Sequence, residues 1–137
     1  MKQLEKDGFL VERLGADKIA GTGSRTYMGI CALDKKHLNR RIDIKVYPKS
    51  QYGYAILYFT GSRQFNVNMR NQAIAYGYSL SDAGIKFVGW QKDKPSNLDS
   101  KIEKSMRDLA KRTGLVSEED IMKAFGMKYH TPAERAI

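Results

Sequence analysis

The chain has 137 residues, 42% apolar and 28% charged, an ordinary make-up for a folded protein with one modest core or two small lobes, and it excludes a largely disordered chain. The 24 Lys and Arg against 15 Asp and Glu give a net charge of +9, which favours a polyanionic partner, either nucleic acid or a membrane surface. No apolar run approaches the roughly 20 residues that span a bilayer, and MKQLEKDG at the N-terminus has no apolar signal core, so the expectation is a soluble intracellular protein.

In chain order, GFLVERL, TYMGICAL, RRIDIKVYP and YGYAILYFT are predicted strands, because β-branched and aromatic residues recur in them between turn residues. Pro48 closes the third. The connecting LGADKIAGTGSR and DKKHLNR are Gly-rich or Lys-rich and predict hairpin loops, so an antiparallel sheet is the simplest arrangement. The single cysteine, Cys31, has no intramolecular disulfide partner and is assigned to strand packing. The two histidines, His37 and His130, lie far apart without ligand partners nearby, which argues against zinc.

After Thr60 the pattern becomes helical, with Ser62 at the N-cap and Gly77 just past the end. A short strand pair in YSLSDAGIKFVGW follows. Residues Asp99 to Arg112 carry Ile102, Met106 and Leu109 at helical spacing, and Gly114 ends that helix. Ser117-Glu118-Glu119-Asp120 is a variant capping box ahead of Ile121, Met122 and Phe125, with Gly126 closing the turn and KYHTPAERAI read as a polar, irregular tail. There is no repeat, low-complexity tract or long linker. The boundary between two joined lobes is expected near Pro48 to Gln51, and KDKPSNLD is expected to be a loop inside the second lobe.

Two features invite chemistry. In RRIDIKVY, alternate residues share a strand face, which puts Ile42, Ile44 and Val46 on a core face and Arg41, Asp43 and Lys45 on the other. A carboxylate between two cations stays ionised, and it either closes an ion-pair ladder or holds a divalent metal. On spacing alone the ladder is the better reading, since alternating charges on a solvated strand are common. In the helix after Ser62, Phe65, Met69 and Tyr76 make an apolar face, while Arg63, Asn66 and Arg70 follow an i, i+3, i+7 path elsewhere. That polar stripe can contact bases or phosphates, or simply face solvent.

RRIDIKVYP, LYFTGSRQFNVNMR, GYSLSDAGI and EEDIMKAFGMKYHTPAERAI together resemble the C-terminal half of the family X DNA polymerases, nearest the polymerase beta branch. The resemblance covers nearly the whole chain and runs without a gap from Arg40 to about Ile85. It implies an α+β fold in which residues 1–49 form the C-terminal part of an antiparallel, nucleotidyltransferase-type palm sheet and residues 50–137 a small mixed α/β nucleotide-selection (thumb/fingers) lobe.

The resemblance further implies that Asp43 is the third metal-binding carboxylate, placed to activate a primer 3′ hydroxyl, with Arg41 orienting it. Lys45 stands where the beta branch has a switching arginine; it keeps the charge and loses the bidentate geometry. Tyr58, Phe59 and Gly61 would line the incoming sugar, with a cis Gly61-Ser62 peptide shaping the pocket. Asn66 would read the minor-groove edge of the incoming base, and Arg70 would reach the template. Arg63 replaces an aspartate and Val67 a lysine of the beta branch. The Tyr58-Phe59 pair, where terminal transferases carry Gly-Trp, implies template-directed, deoxy-selective synthesis. The stretch from Trp90 to Val116 is longer than in that branch, and its basic helix is either an extra DNA contact or, on balance, a solvated element.

The upstream Gly-Ser turn and Asp-x-Asp pair that such chemistry needs are not in the sequence, nor is an N-terminal lyase domain; GTGSR at Gly21 to Arg25 is not followed by Asp-x-Asp. The chain is therefore expected to be a C-terminal piece, inactive alone, of a gap-filling base excision repair polymerase. Two Mg²⁺ ions, gapped primer–template DNA and a deoxynucleoside triphosphate are the implied cofactors and partners, for a monomer in the nucleus or mitochondrion. A terminal-transferase-like enzyme and a non-catalytic nucleic-acid-binding module are the alternatives.

Overall fold

Residues 1–15, 18–19, 21 and 23–136 are described by the computed structural model, and the chain divides into two units, Met1–Pro48 and Lys49–Ile137. In the first, a short helix α1 (Lys2–Lys6) precedes strands β1 (Leu10–Arg13), β2 (Lys18–Ile19), β3 (Arg25–Cys31) and β4 (Arg40–Val46). All pairings are antiparallel, as the predicted hairpin loops require. β3 is the centre: β4 runs along its whole length on one edge, with Tyr27 opposite Ile44 and Met28 opposite Asp43, while β1 and β2 share the other edge.

Leu10 and Tyr27 are the buried apolar residues of this unit among those described. The Tyr27 ring folds back over Gly29, where a Cβ would lie 2.5 Å from Tyr27 Cε1 and 2.7 Å from the Glu12 carbonyl oxygen. α1 is not among the predicted elements; Arg13 ties it to β1 through a 2.9 Å ion pair with Glu5. The expected core face of β4 is a correction: Ile42 and Ile44 are half-buried and Val46 is 50% exposed. A unit this small has little apolar surface with which to cover them. Cys31 is half-buried at the end of β3. Of the expected loop LGADKIAGTGSR, Lys18–Ile19 pairs with Arg25 and Thr26, while positions 16, 17, 20 and 22, including part of the GTGSR turn, lie outside the described residues.

The second unit contains α2 (Lys49–Thr60), α3 (Arg63–Ala75), the hairpin β5 (Tyr78–Ser81) and β6 (Gly84–Phe87), α4 (Ser100–Lys111) and α5 (Glu118–Ala124). The stretch YGYAILYFT, predicted as a strand, is instead the body of α2. A short, continuously apolar run has no period that separates a strand from a helix covered on several sides. Here Gly53, Tyr54, Ala55 and Leu57 are all buried, a nearly consecutive set that wraps the helix. Gly53 is the condition for this packing, because a Cβ there would come within 2.0 Å of the Val116 carbonyl oxygen.

The other helices follow their sequence signals. Ser62 caps α3 by accepting from the Phe65 amide, Phe65, Met69 and Ala73 are its buried face, and Gly77 ends it at φ +83°. Tyr76, expected on that face, is half-buried, and its hydroxyl accepts a 3.2 Å hydrogen bond from the Asp99 amide. Asp99 caps α4, whose Met106 and Leu109 are buried. Ser117 and Asp120 form the reciprocal capping box at α5. These helices and the hairpin close over one core in which Tyr54, Phe65, Met69, Met106, Ile121 and Phe125 meet. Burial in that core pushes the Tyr54 hydroxyl up to about 12, so it stays protonated throughout the physiological range.

The tail is more ordered than predicted. Thr131 and Glu134 cap one another reciprocally, the Glu134 amide donating to Thr131 Oγ1 and the Thr131 amide to Glu134 Oε1. Arg135 is fully buried, ion-paired with Glu118, and donates to the His130 carbonyl at 2.8 Å.

Two outcomes follow. Gly53→Ala gains about 1 kcal/mol of helix propensity, but the overlap with Val116 costs about 1–3 kcal/mol and forces α2 off α5, so overlap wins. Urea unfolding will show a lower midpoint for the variant, and an equal or higher midpoint would refute the close approach. Ser117→Ala removes the capping contact at a cost of about 1 kcal/mol, roughly 4–8 °C in Tm. The hydrogen bond from the Ser117 amide, then the Ser117 hydroxyl and Arg112, hold the Asp120 carboxyl below its ordinary 3.8. Its folded value is depressed, so its stabilisation is present above about pH 4 and is lost as pH falls through the lower folded value. Thermal melts from pH 7 to pH 2 will therefore show the gap between wild type and Asp120→Asn narrowing at the acid end; a constant gap would sink the assignment.

Candidate nucleotide and nucleic-acid site

The predicted site residues fall into two groups, one in each unit. In the first, β4 presents Arg41, Asp43 and Lys45 on one exposed face, across from Ile30, Met28 and Thr26 of β3. Arg41 Nε donates to Asp43 Oδ1 at 3.3 Å, and Arg41 Nη2 lies 3.6 Å from Met28 Sδ. The two charged side chains are 64% and 52% exposed, so the pair contributes at most about 1 kcal/mol to stability and acts as an orienting contact. Asp43 offers one hard oxygen ligand of the kind Mg²⁺ prefers. No three His, Cys, Asp or Glu side chains converge on a metal-binding point among the described residues, so Asp43 does not by itself make a metal centre.

The second group is built on the α2–α3 corner. The Gly61-Ser62 peptide is cis, Gly61 has φ +68° and is buried, and the Ser62 amide donates to the Arg135 carbonyl at 3.4 Å. The last turn of a helix leaves carbonyls without intrahelical donors, and one of these, on Tyr58, accepts from Asn66 Nδ2 at 2.7 Å. One turn further along α3, the Arg70 guanidinium stacks 5.0 Å from the centre of the Tyr58 ring, and Phe59 meets that ring edge-on at 5.0 Å. Tyr58, Asn66 and Arg70, with Tyr54, Leu57, Met69, Leu80 and Ser81, line one narrow cleft.

The structure thus brings Tyr58, Asn66 and Arg70 together, with Ser62 and Gly61 shaping the turn between their helices. Phe59 is 56% exposed beside them, whereas Arg63 projects from the first turn of α3 and does not line the cleft. Neither α2 nor α3 contains an acidic residue, so Lys49, Arg63 and Arg70 leave this surface positive. No helix among the described residues is long and apolar enough to cross a membrane.

Sequence reasoning missed Arg135, which supports the Ser62 amide and sits between the rings of Phe65 and Tyr129 at 5.8 and 5.5 Å. The signal was there in Thr131-x-x-Glu134, the spacing of a capping box, which marks the tail as folded.

Comparison with known proteins follows the same division of the chain. A family model described as DNA polymerase beta palm matches residues 1–49, and one described as DNA polymerase beta thumb matches residues 55–136. DNA polymerase lambda of Rattus norvegicus is 32% identical over 142 aligned residues, which cover 98% of this chain and 22% of that protein. DNA polymerase lambda of Arabidopsis thaliana is 35% identical over 89 residues, covering 62% of this chain and 17% of that protein. The chain spans about a fifth of the length of these curated relatives. With the thumb match alone taking in more than half of its residues, the chain belongs to the DNA polymerase beta family, family X of the DNA polymerases.

Proposed function

We propose that the chain supplies the end of the palm and the nucleotide-selection lobe of a template-directed, gap-filling DNA polymerase of base excision repair. Its partners are gapped primer–template DNA and a deoxynucleoside triphosphate, and it works as a monomer in the nucleus or mitochondrion. The observation that carries this reading is the joining of Tyr58, Asn66 and Arg70 around one cleft by a hydrogen bond and a cation–π contact.

Each of these groups has a job that its chemistry suits. The Tyr58 backbone at the end of α2 opposes a 2′ hydroxyl on the incoming sugar, and the exposed Phe59 ring offers the sugar an apolar wall. Asn66 presents an amide to the minor-groove edge of the base, exchanging the Tyr58 carbonyl for the base as partner. Arg70, released from the Tyr58 ring, reaches the template strand, and Arg63 and Lys45 add phosphate contacts that carry no sequence information. Gly61 and Ser62 fix the corner on which the other groups stand.

In the first unit Asp43 is one carboxylate of the metal site, beside the primer 3′ hydroxyl, and Arg41 orients it. Polymerases of this family use divalent metals, and Mg²⁺ bound there would neutralise charge on the triphosphate. The remaining ligands are not among the described residues.

The test is a chimera in which this chain replaces the matching segment of the rat DNA polymerase lambda. It should insert the templated deoxynucleotide into a one-nucleotide gap. Asp43→Ala should lower insertion by at least about 10³-fold, a loss of roughly 4 kcal/mol of transition-state stabilisation, and change gapped-DNA affinity by less than about threefold. Near-normal insertion by the variant would remove Asp43 from the mechanism. A chimera that binds gapped DNA but inserts nothing even with Asp43 intact would favour a non-catalytic nucleic-acid-binding module.

A further inference from the structure

A second feature of the Lys49–Ile137 unit shares no residue with the cleft at Tyr58. β6 and the loop after it face α4 across an open groove of about 520 Å³, within the ~300–1,000 Å³ range of ligand sites. Its floor is aromatic: Phe87 meets Tyr78 edge-on at 5.3 Å and Trp90 at 5.6 Å. Its rim carries Lys86, Lys94, Arg107 and Lys111. Glu103 is the one carboxylate lining it among the described residues, and Lys94 neutralises that at 2.7 Å, so Lys86, Arg107 and Lys111 remain as net positive charge.

The groove is firmly constructed. Trp90 Nε1 donates to the Ala75 carbonyl at 3.1 Å, and the Val88 and Gly89 amides both donate to the Gly77 carbonyl. Gly77, at φ +83°, leaves room for the rings, since a Cβ there would lie 3.0 Å from both Phe87 and Trp90. Within this frame Phe87 is still 53% exposed, and the neighbouring Val88 62%. A half-exposed aromatic ring braced by an indole is a poor way to fill a core and a good platform for a flat ligand.

We propose that this groove is a second nucleic-acid site, which takes an unpaired, single-stranded segment by stacking a base on Phe87 and by holding its phosphates with Lys86, Arg107 and Lys111. The combination decides the class of partner. A ring platform beside a row of cations suits a chain that alternates planar bases with phosphates, and a base is free to stack only where it is unpaired. An acidic peptide would satisfy the cations and leave the ring without a partner, and a duplex would keep its bases stacked on one another. The proposal rests on this groove alone and stands or falls independently of the polymerase reading.

Trp90 is the single tryptophan of the chain, so its emission reports on this groove and nowhere else. The 137-residue chain is titrated with a fluorescein-labelled 12-residue oligo-dT, following anisotropy, and with unlabelled oligo-dT, following Trp90 emission. Binding with quenching of Trp90 is expected. The triple variant Lys86→Ala, Arg107→Ala, Lys111→Ala should bind at least tenfold more weakly, with a log–log salt slope shallower by about two. Phe87→Leu, which keeps apolar bulk and removes the ring, should bind about fivefold more weakly or worse and lose most of the quenching. A charge-matched control, Lys35→Ala, Lys36→Ala, Lys128→Ala, changes exposed cations outside the groove and should bind within about twofold of wild type. The proposal fails if the control loses as much affinity as the groove variant, if the oligonucleotide binds without changing Trp90 emission, or if oligo-glutamate of equal length binds and quenches as well as oligo-dT.

Discussion

A guanidinium with no exposure to solvent holds the Lys49–Ile137 unit to one arrangement. Arg135 lies between the faces of Phe65 and Tyr129, pairs with Glu118 in the first turn of α5, and donates to the His130 carbonyl, while its own carbonyl accepts from the Ser62 amide. A buried charge costs several kcal/mol unless its partners are in place, and taking one partner away from such a pair typically costs about 3–5 kcal/mol. The tail, the start of α5 and the corner before α3 are therefore set together or not at all. The corner that carries Tyr58 and Asn66 inherits its shape from a residue far away in the sequence.

Charge is unevenly distributed over this unit. The carboxylates of its helices sit on α4 and α5, where Glu103, Glu118, Glu119 and Asp120 meet helix N-termini or nearby cations. α2 and α3 have none. With Lys49, Arg63 and Arg70 and no carboxylate, α2 and α3 are uniformly positive beside the cleft. Lys45, Arg63 and Val67 are all exposed, so the core of neither unit depends on them.

Local signals were legible and tertiary ones were not. Ser62, Asp99 and Ser117 mark helix starts by chemistry that acts within three residues, so α3, α4 and α5 could be read almost to their ends. The α2 segment could not, because its nearly consecutive apolar residues carry no distinguishing period and are covered by partners from far along the chain, Val116 among them. The Arg41–Asp43 contact was legible because two residues along a strand share a face. The Arg63, Asn66, Arg70 stripe was read as a unit, yet the structure uses Asn66 and Arg70 and leaves Arg63 aside, since only the first two lie over Tyr58. Arg135 looked like one more tail cation until Glu118 was brought to it.

β4 has a further consequence for how the molecule behaves in bulk. It pairs with β3 on one side, and among the described residues no strand pairs with it on the other. With Ile42 and Ile44 half-buried and Val46 exposed, this is the geometry from which strands of different copies stack into aggregates. Arg40, Arg41, Asp43 and Lys45 interrupt it with charge at alternate and adjacent positions, as gatekeeper residues do. The residues assigned to chemistry thus also keep the chain colloidally stable. Concentrated salt, which shortens the reach of those charges to a few ångströms, would weaken that protection first at this strand.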